Sequence, residues 1–96
     1  MRKQEVIDIL TTLADDLRGQ GVQSISLFGS TARDENKAGS HIDLLVDFGQ
    51  PPTFDQYIHL KFFLEDHLGA HVDLVTPTAL HERVRPYVEA EAIRVA

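Results

Sequence analysis

Apolar residues recur every three or four positions in two parts of the chain, which predicts two amphipathic helices. The first covers residues 2–18, and Gly19 and Gly21 should end it, because glycine readily takes the left-handed conformation that closes a helix. The second should begin with a capping box, in which Thr53 caps the helix and the Gln56 side chain reaches back to it. Gly69 is expected to end this second helix.

Three shorter segments alternate apolar and polar residues, as strands do when one face is buried. They cover residues 23–28, 41–48 and 71–75. A helical turn over residues 31–33 lies between the first two, and Pro86 is expected to begin a last short helix, since proline suits a first helical turn. The apolar tail after that helix is expected to form an edge segment. The predicted order, αβ(α)βαβα, implies an α/β or α+β fold with helices packed on a small sheet.

The composition limits the kinds of protein that this chain can be. Its 96 residues, 43% of them hydrophobic, suit a single domain over residues 1–96 with a modest core that a partner could help to cover. A net charge of −6, with nine scattered lysines and arginines, argues against binding to a nucleic-acid backbone and suits a divalent cation or a basic partner. The chain has no cysteine, no apolar run near the ~20 residues of a membrane span and no signal-peptide core, so we expect a cytoplasmic protein without disulfides.

The first predicted strand runs directly into Gly29 and Ser30. Glycine lets the backbone turn sharply and lets a bulky group approach, and Ser30 can cap the helical turn over residues 31–33. Such a turn presents free backbone N–H groups, which suit phosphate oxygens. The same residues also fit a tight turn with a serine cap and no ligand, so the turn by itself leaves both interpretations open.

Acidic residues lie on the polar faces of the second and third predicted strands. Asp43 shares its face with His41, and Asp73 lies in the middle of the third strand. An acid between apolar neighbours costs stability unless it is solvated, paired or bound to a metal. If the two strands are neighbours, both carboxylates converge on a site for a hard cation. Asp47 lies further along its strand and is expected to be solvated. The other histidines show no ligand spacing and are expected to be structural or at the surface: His59, His67, His71 and His81.

The combination of these features is more specific than any one of them. Gly29-Ser30, ten further residues, position 41, one residue and Asp43, followed by Asp73 on the next long strand, closely resembles the GS-x10-DxD…D pattern of the DNA polymerase β-like nucleotidyltransferases. The segments FGSTAR and SHIDLLVDF are similar to the minimal nucleotidyltransferase (MNT) branch, and the resemblance covers nearly the whole chain. It implies the nucleotidyltransferase fold, with helices packed against a small mixed β-sheet.

The resemblance also implies roles for individual residues. The turn of Gly29 and Ser30 would hold the triphosphate of ATP, and Arg33 would pair with a phosphate or form a surface salt bridge. Asp43 and Asp73 would bind Mg2+ ions, which activate the attacking hydroxyl and stabilise the pyrophosphate leaving group. Asp73 would also be the candidate base near the nucleophile.

His41 departs from the pattern, because it stands where the family has its first DxD aspartate. An imidazole supplies nitrogen and removes one negative charge, whereas Mg2+ prefers oxygen and Mn2+ accepts nitrogen. His41 is therefore a doubtful metal ligand. Three interpretations stay open: weakened or Mn2+-dependent catalysis, nucleotide binding without turnover, or an inactive site kept as a scaffold.

MNT proteins of this size are similar to the antitoxin half of HEPN–MNT toxin–antitoxin pairs. The resemblance implies transfer of AMP from ATP to a tyrosine of a partner HEPN ribonuclease, within a hetero-oligomer and with Asp43 and Asp73 as catalytic residues. Two alternatives remain: neutralisation of the partner by binding alone, and a nucleotide-binding regulatory domain.

Overall fold

A mixed four-stranded sheet with helices against it forms the centre of the computed structural model, which describes residues 2–35, 41–80, 82–83 and 85–96. The strand order is β3-β2-β1-β4; β1 runs antiparallel to both β2 and β4, and β2 runs parallel to β3. This confirms the predicted small mixed sheet. In chain order the elements are α1 (Lys3–Thr12), α2 (Ala14–Gly19), β1 (Ser24–Phe28), α3 (Gly29–Ala32), β2 (Ile42–Asp47), α4 (Phe54–Leu68), β3 (Val72–Val75), a 3-10 turn (Pro77–Ala79), α5 (Arg85–Glu91) and β4 (Ile93–Arg94).

The single helix predicted over residues 2–18 is wrong in two respects. Gly19 is the last residue of α2, and the left-handed glycine after the helix is Gly21, with φ +92°. The helix is also divided into α1 and α2 at Leu13. There the backbone leaves the helical region, with φ −94° and ψ 5°. The Leu13 amide bonds to the carbonyls of both Ile9 and Leu10, so the last turn of α1 is tightened before α2 begins. The predicted apolar stripe survives this break, because Leu13 and Leu17 are both buried in the core.

Helix α4 begins and ends where the sequence predicts, but its capping box is incomplete. The Thr53 hydroxyl accepts a hydrogen bond from the Gln56 amide at 3.1 Å, and Gly69 closes the helix with φ +65°. The Gln56 side chain does not reach back to Thr53. It donates to the partly buried carbonyl of Gln20 at 3.0 Å and so ties α4 to the residue that follows α2.

Side chains of strand β2 alternate between a buried face and a partly exposed face of the sheet. Ile42, Leu44 and Val46 are almost fully buried, whereas Asp43 and Asp47 on the opposite face are only half-buried. The predicted alternation is therefore confirmed. The buried face packs against the apolar stripes of α1, α2 and α4, and the strands and these helices together form the core.

The C-terminal part of the chain returns to the edge of the sheet. Helix α5 begins at Arg85, one residue before the predicted start at Pro86, and β4 pairs with β1 through Leu27 and Ile93. The predicted edge segment is thus confirmed. His81 and residues 36–40, part of the loop expected over residues 34–40 between the first two strands, lie outside the described residues.

Among the helices that the structure describes, none combines the length and the apolar character needed to cross a bilayer.

Candidate active site

The pairing of three neighbouring strands brings the chemically important residues together at one edge of the exposed sheet face. Phe28, the last residue of β1, lies opposite Asp43 in the antiparallel pair. Asp43 in turn lies opposite Asp73 in the parallel pair of β2 and β3. Both carboxylates therefore project from adjacent positions on one face, next to the turn that follows β1.

The turn after β1 places its backbone directly against the Asp43 carboxylate. Gly29 has φ +74°, in the left-handed region that favours glycine. A Cβ on Gly29 would collide with Oδ2 of Asp43. Only glycine thus permits this close approach of turn and carboxylate.

Ser30 does not cap the short helix, so the predicted serine cap is wrong. Helix α3 already begins at Gly29, with Phe28 in the capping position, and Ser30 lies in the first turn. The reason is that Gly29 makes the sharp turn one residue earlier than a serine cap requires. Ser30 remains beside the site, and its carbonyl accepts a hydrogen bond from the Glu35 amide at 2.8 Å.

Asp43 carries a negative charge that its surroundings disfavour. Burial raises the pKa of the Asp43 carboxyl above its ordinary value, and the charge and hydrogen bond of Asp73 raise this pKa further. The charges of His41 and Arg33 act in the opposite direction and offset only part of the effect. A cation at this position would relieve the repulsion between the two carboxylates.

His41 lies two residues before Asp43 and contacts Asp73. Its Nδ1 atom is 3.0 Å from Oδ2 of Asp73, and both side chains are about half exposed. Since an ionised carboxylate can only accept, Nδ1 of His41 is the donor in this hydrogen bond. The His41 ring also contacts the ring of His71, whose exposed side chain agrees with the surface role expected for it.

The donor set fits one divalent cation better than it fits two. In the part of the chain that the structure describes, no three acidic or histidine side chains form a ready-made metal cage. Asp43 and Asp73 supply hard carboxylate oxygens on adjacent strands, which suits one Mg2+ or Mn2+ ion. His41, at the third position, supplies nitrogen and already binds Asp73. This chemistry makes Mn2+ the better match where His41 takes part.

Arg33 points toward acidic groups of its own chain. Its Nη1 donates to Oε2 of Glu91 at 2.8 Å, and its Nε donates to Oε2 of Glu35 at 3.0 Å. Hydrogen bonds from Glu35 and then Glu91 raise the pKa of the Arg33 guanidinium above its ordinary value. Of the two roles considered for Arg33, the structure contains the salt bridge.

Glu91 is a site residue that the sequence pattern misses. Its second carboxylate oxygen, Oε1, accepts a hydrogen bond from the backbone N–H of Gly29 at 3.0 Å. The two residues are 62 positions apart, so no local motif connects them. One signal was available: an acid at the C-terminal end of a helix opposes the helix dipole and therefore calls for a partner.

The chain is similar in sequence and in fold to known nucleotidyltransferases. The family model of the nucleotidyltransferase domain matches residues 6–95. The chain is 39% identical over 93 residues to the protein adenylyltransferase MntA of Thermococcus cleftensis, and the match covers 96% of this chain and 94% of that protein. It superposes on a solved structure described as a minimal nucleotidyltransferase with a TM-score of 0.84 and 33% identity, covering 97% of this chain and 95% of the other.

A more distant structural neighbour comes from a complex. This neighbour is a chain from the complex of the tri-AMPylated Shewanella oneidensis HEPN toxin with an MNT antitoxin. It matches with a TM-score of 0.69 and 21% identity. The match covers 98% of this chain and 71% of that chain. At this identity the likeness establishes a shared fold.

Proposed function

The chain belongs to the nucleotidyltransferase domain family, and on that premise we propose that it transfers AMP from ATP to a tyrosine hydroxyl of a HEPN-type toxin and so neutralises it. The observation that carries the proposal is the direct pairing of Asp43 with Asp73 beside the turn at Gly29. The protein adenylyltransferase name of the Thermococcus relative and the AMPylated toxin in the Shewanella complex support the choice of reaction and partner.

In the proposed reaction the tyrosine oxygen attacks the α-phosphorus of ATP. The new O–P bond forms as the bond from the α-phosphorus to the bridging oxygen breaks, and pyrophosphate leaves with that electron pair. Asp73, whose side chain is half exposed, accepts the hydroxyl proton. Backbone N–H groups at Gly29 and the Arg33 guanidinium are proposed to hold the phosphates, with Ser30 beside them.

Asp43 and Asp73 are the proposed ligands of one divalent ion. When bound, such an ion supplies positive charge against the phosphate oxygens and lowers the pKa of the attacking hydroxyl. His41 donates to Asp73 and so fixes the orientation of that carboxylate. Nitrogen at this position favours Mn2+ over Mg2+ in supporting transfer.

Labelled ATP tests the proposal directly. The protein is incubated with the product of the neighbouring gene and with Mg2+ or Mn2+, and transfer of label to that partner is measured. We expect label on a tyrosine, with a faster rate in Mn2+. No transferred label with either metal, in a sample that binds its partner, would falsify the enzymatic proposal.

A second candidate is an antitoxin that blocks its partner by contact alone. His41 favours this second candidate, because position 41 lacks a carboxylate and the imidazole is hydrogen-bonded to the Asp73 carboxylate. This candidate predicts that the double variant Asp43→Ala, Asp73→Ala still neutralises the toxin in cells. Loss of neutralisation, with folding and partner binding intact, would rule it out.

A further inference from the structure

Glu91 holds the two groups that the proposed function assigns to the nucleotide phosphates. Its Oε1 atom accepts from the Gly29 N–H at 3.0 Å, and its Oε2 atom accepts from Nη1 of Arg33 at 2.8 Å. One carboxylate thus bridges a turn amide and a guanidinium, which is the pattern of donors that a phosphate group also takes.

The contact at Gly29 excludes a second acceptor. A backbone N–H has a single hydrogen and makes one strong hydrogen bond, so Gly29 cannot serve Glu91 and a phosphate together. Arg33 has five N–H donors and could serve both groups. Competition therefore concerns the Gly29 amide above all.

The charges around the turn add to this competition. Glu35 is hydrogen-bonded to Arg33, and Asp43, on which the Arg33 charge acts, lies beside the Asp73 carboxylate. A bound phosphate next to the Glu91 carboxylate would meet one more like charge at close range. The phosphate is thus best accommodated when the Glu91 side chain turns away.

The backbone that carries Glu91 is held in place. Glu91 is the last residue of α5, and β4 follows after one residue and pairs with Ser26 and Leu27 of β1. The Val95 amide then bonds to the Ile25 carbonyl at 2.9 Å. Displacement of Glu91 is therefore a side-chain rotation and does not require release of the C-terminal segment.

We propose that Glu91 is an internal anionic ligand that competes with the nucleotide phosphates for the Gly29 amide and Arg33 and so limits affinity for ATP. The inference rests on the proposed nucleotide site and adds a residue that sets how tightly that site binds. In the free protein the Glu91 carboxylate accepts hydrogen bonds from the Gly29 amide and Arg33, and in the nucleotide complex the phosphates displace it.

The experiment compares Glu91→Gln with the wild-type chain. Dissociation constants are measured by calorimetry at fixed pH and salt, for ATP with Mg2+ and for inorganic tripolyphosphate without metal. Glu89→Gln is the matched control, because Glu89 is an exposed glutamate on the same helix and its removal changes the net charge equally. Thermal melting verifies that each variant is folded.

We expect Glu91→Gln to bind both ligands about three- to tenfold more tightly, while Glu89→Gln stays within about twofold of wild type. A purely structural role for Glu91 predicts the opposite sign, since a damaged turn binds more weakly. If Glu91→Gln does not fold, Glu91→Asp is used in its place; its shorter side chain cannot span both donors, and it should give a smaller gain of the same sign.

Unchanged or weaker binding by Glu91→Gln, or an equal gain in Glu89→Gln, overturns the competition while leaving the nucleotide site intact. If neither the wild-type chain nor the variants bind ATP or tripolyphosphate, the inference and the proposed nucleotide site both fail. The two failures are thereby distinguished by whether wild-type protein binds ATP.

Discussion

The two acidic positions on the exposed face of β2 have opposite surroundings. Asp47, at the end of the strand, accepts a hydrogen bond from the Gly49 amide at 2.7 Å and stabilises the turn that follows. Asp43, four residues earlier, lies against Gly29 and opposite Asp73, and its carboxyl has a raised pKa. One acid is satisfied by the fold, whereas the other is placed where the folded chain repels its charge. An acid whose charge the fold disfavours in this way is a candidate for ligand binding, because a cationic ligand can offset that charge.

The largest difference between the two acids should appear in transfer activity. Asp43→Asn should lower the rate of AMP transfer to the partner by at least about 100-fold, since a neutral amide is a poor ligand for a divalent ion. Asp47→Asn removes the same charge from the same strand face and should stay within about twofold of wild type, because the asparagine oxygen can still accept from Gly49. Equal losses of transfer rate in both variants would mean that the different surroundings of Asp43 and Asp47 do not matter for activity.

The glycine beside Asp43 should be far less tolerant than a glycine elsewhere. Gly29→Ala should lower the free energy of unfolding by about 1–3 kcal/mol, because it combines a positive φ with a collision against Asp43. Gly19→Ala is the matched change: a Cβ there meets no atom within 4 Å, and alanine at this helical position should raise stability by about 0.5–1 kcal/mol. Urea denaturation of both variants measures the difference. A neutral Gly29→Ala would show that turn and carboxylate are less closely packed than described.

His41 should determine how strongly the Asp43 end of the strand binds Mg2+. His41→Asp supplies a third carboxylate, and we expect about tenfold tighter Mg2+ binding, seen as a larger rise of Tm on adding the ion. Without metal the same variant should melt at a lower temperature, since it replaces the bond to Asp73 with repulsion. His59→Asp, at an exposed position on α4, controls for the added charge. A Tm that responds to Mg2+ equally in both variants would argue against a metal role for position 41.

The smallest expected effect is on stability as a function of pH. The folded state raises the pKa of Asp43 above its ordinary value of 3.8, so it favours the protonated carboxyl and loses stability as rising pH ionises that group. Asp43→Asn removes this penalty and should raise stability at pH 7 by no more than about 1 kcal/mol, because the carboxylate is still partly in water. The gain should vanish as the pH falls below the ordinary value of the group. Melting curves of wild type and variant from pH 3 to about pH 8 decide the sign.

Residues with local partners were predicted well, and residues with distant partners were not. The Thr53 cap and the Gly69 helix end depend on hydrogen bonds within four residues, and both occur as the sequence indicates. The capping box predicts a bond from the Gln56 side chain to Thr53. That side chain bonds instead to Gln20, which comes close only after the helices pack. The predicted serine cap is wrong for a related reason. The chain turns at Gly29, one residue earlier, where only a glycine fits against the Asp43 carboxylate of another strand.

Local sequence patterns are enough to predict which residues face the core and where the chain turns. Hydrophobic periodicity and the special backbone freedom of glycine act over a few residues, so they can be read without the fold. The register that sets Asp43 opposite Asp73, and the hydrogen bond from the Gly29 amide to Glu91, are seen only in the folded chain. Strand register and contacts across 62 residues depend on how the whole sheet assembles, and no local preference encodes them.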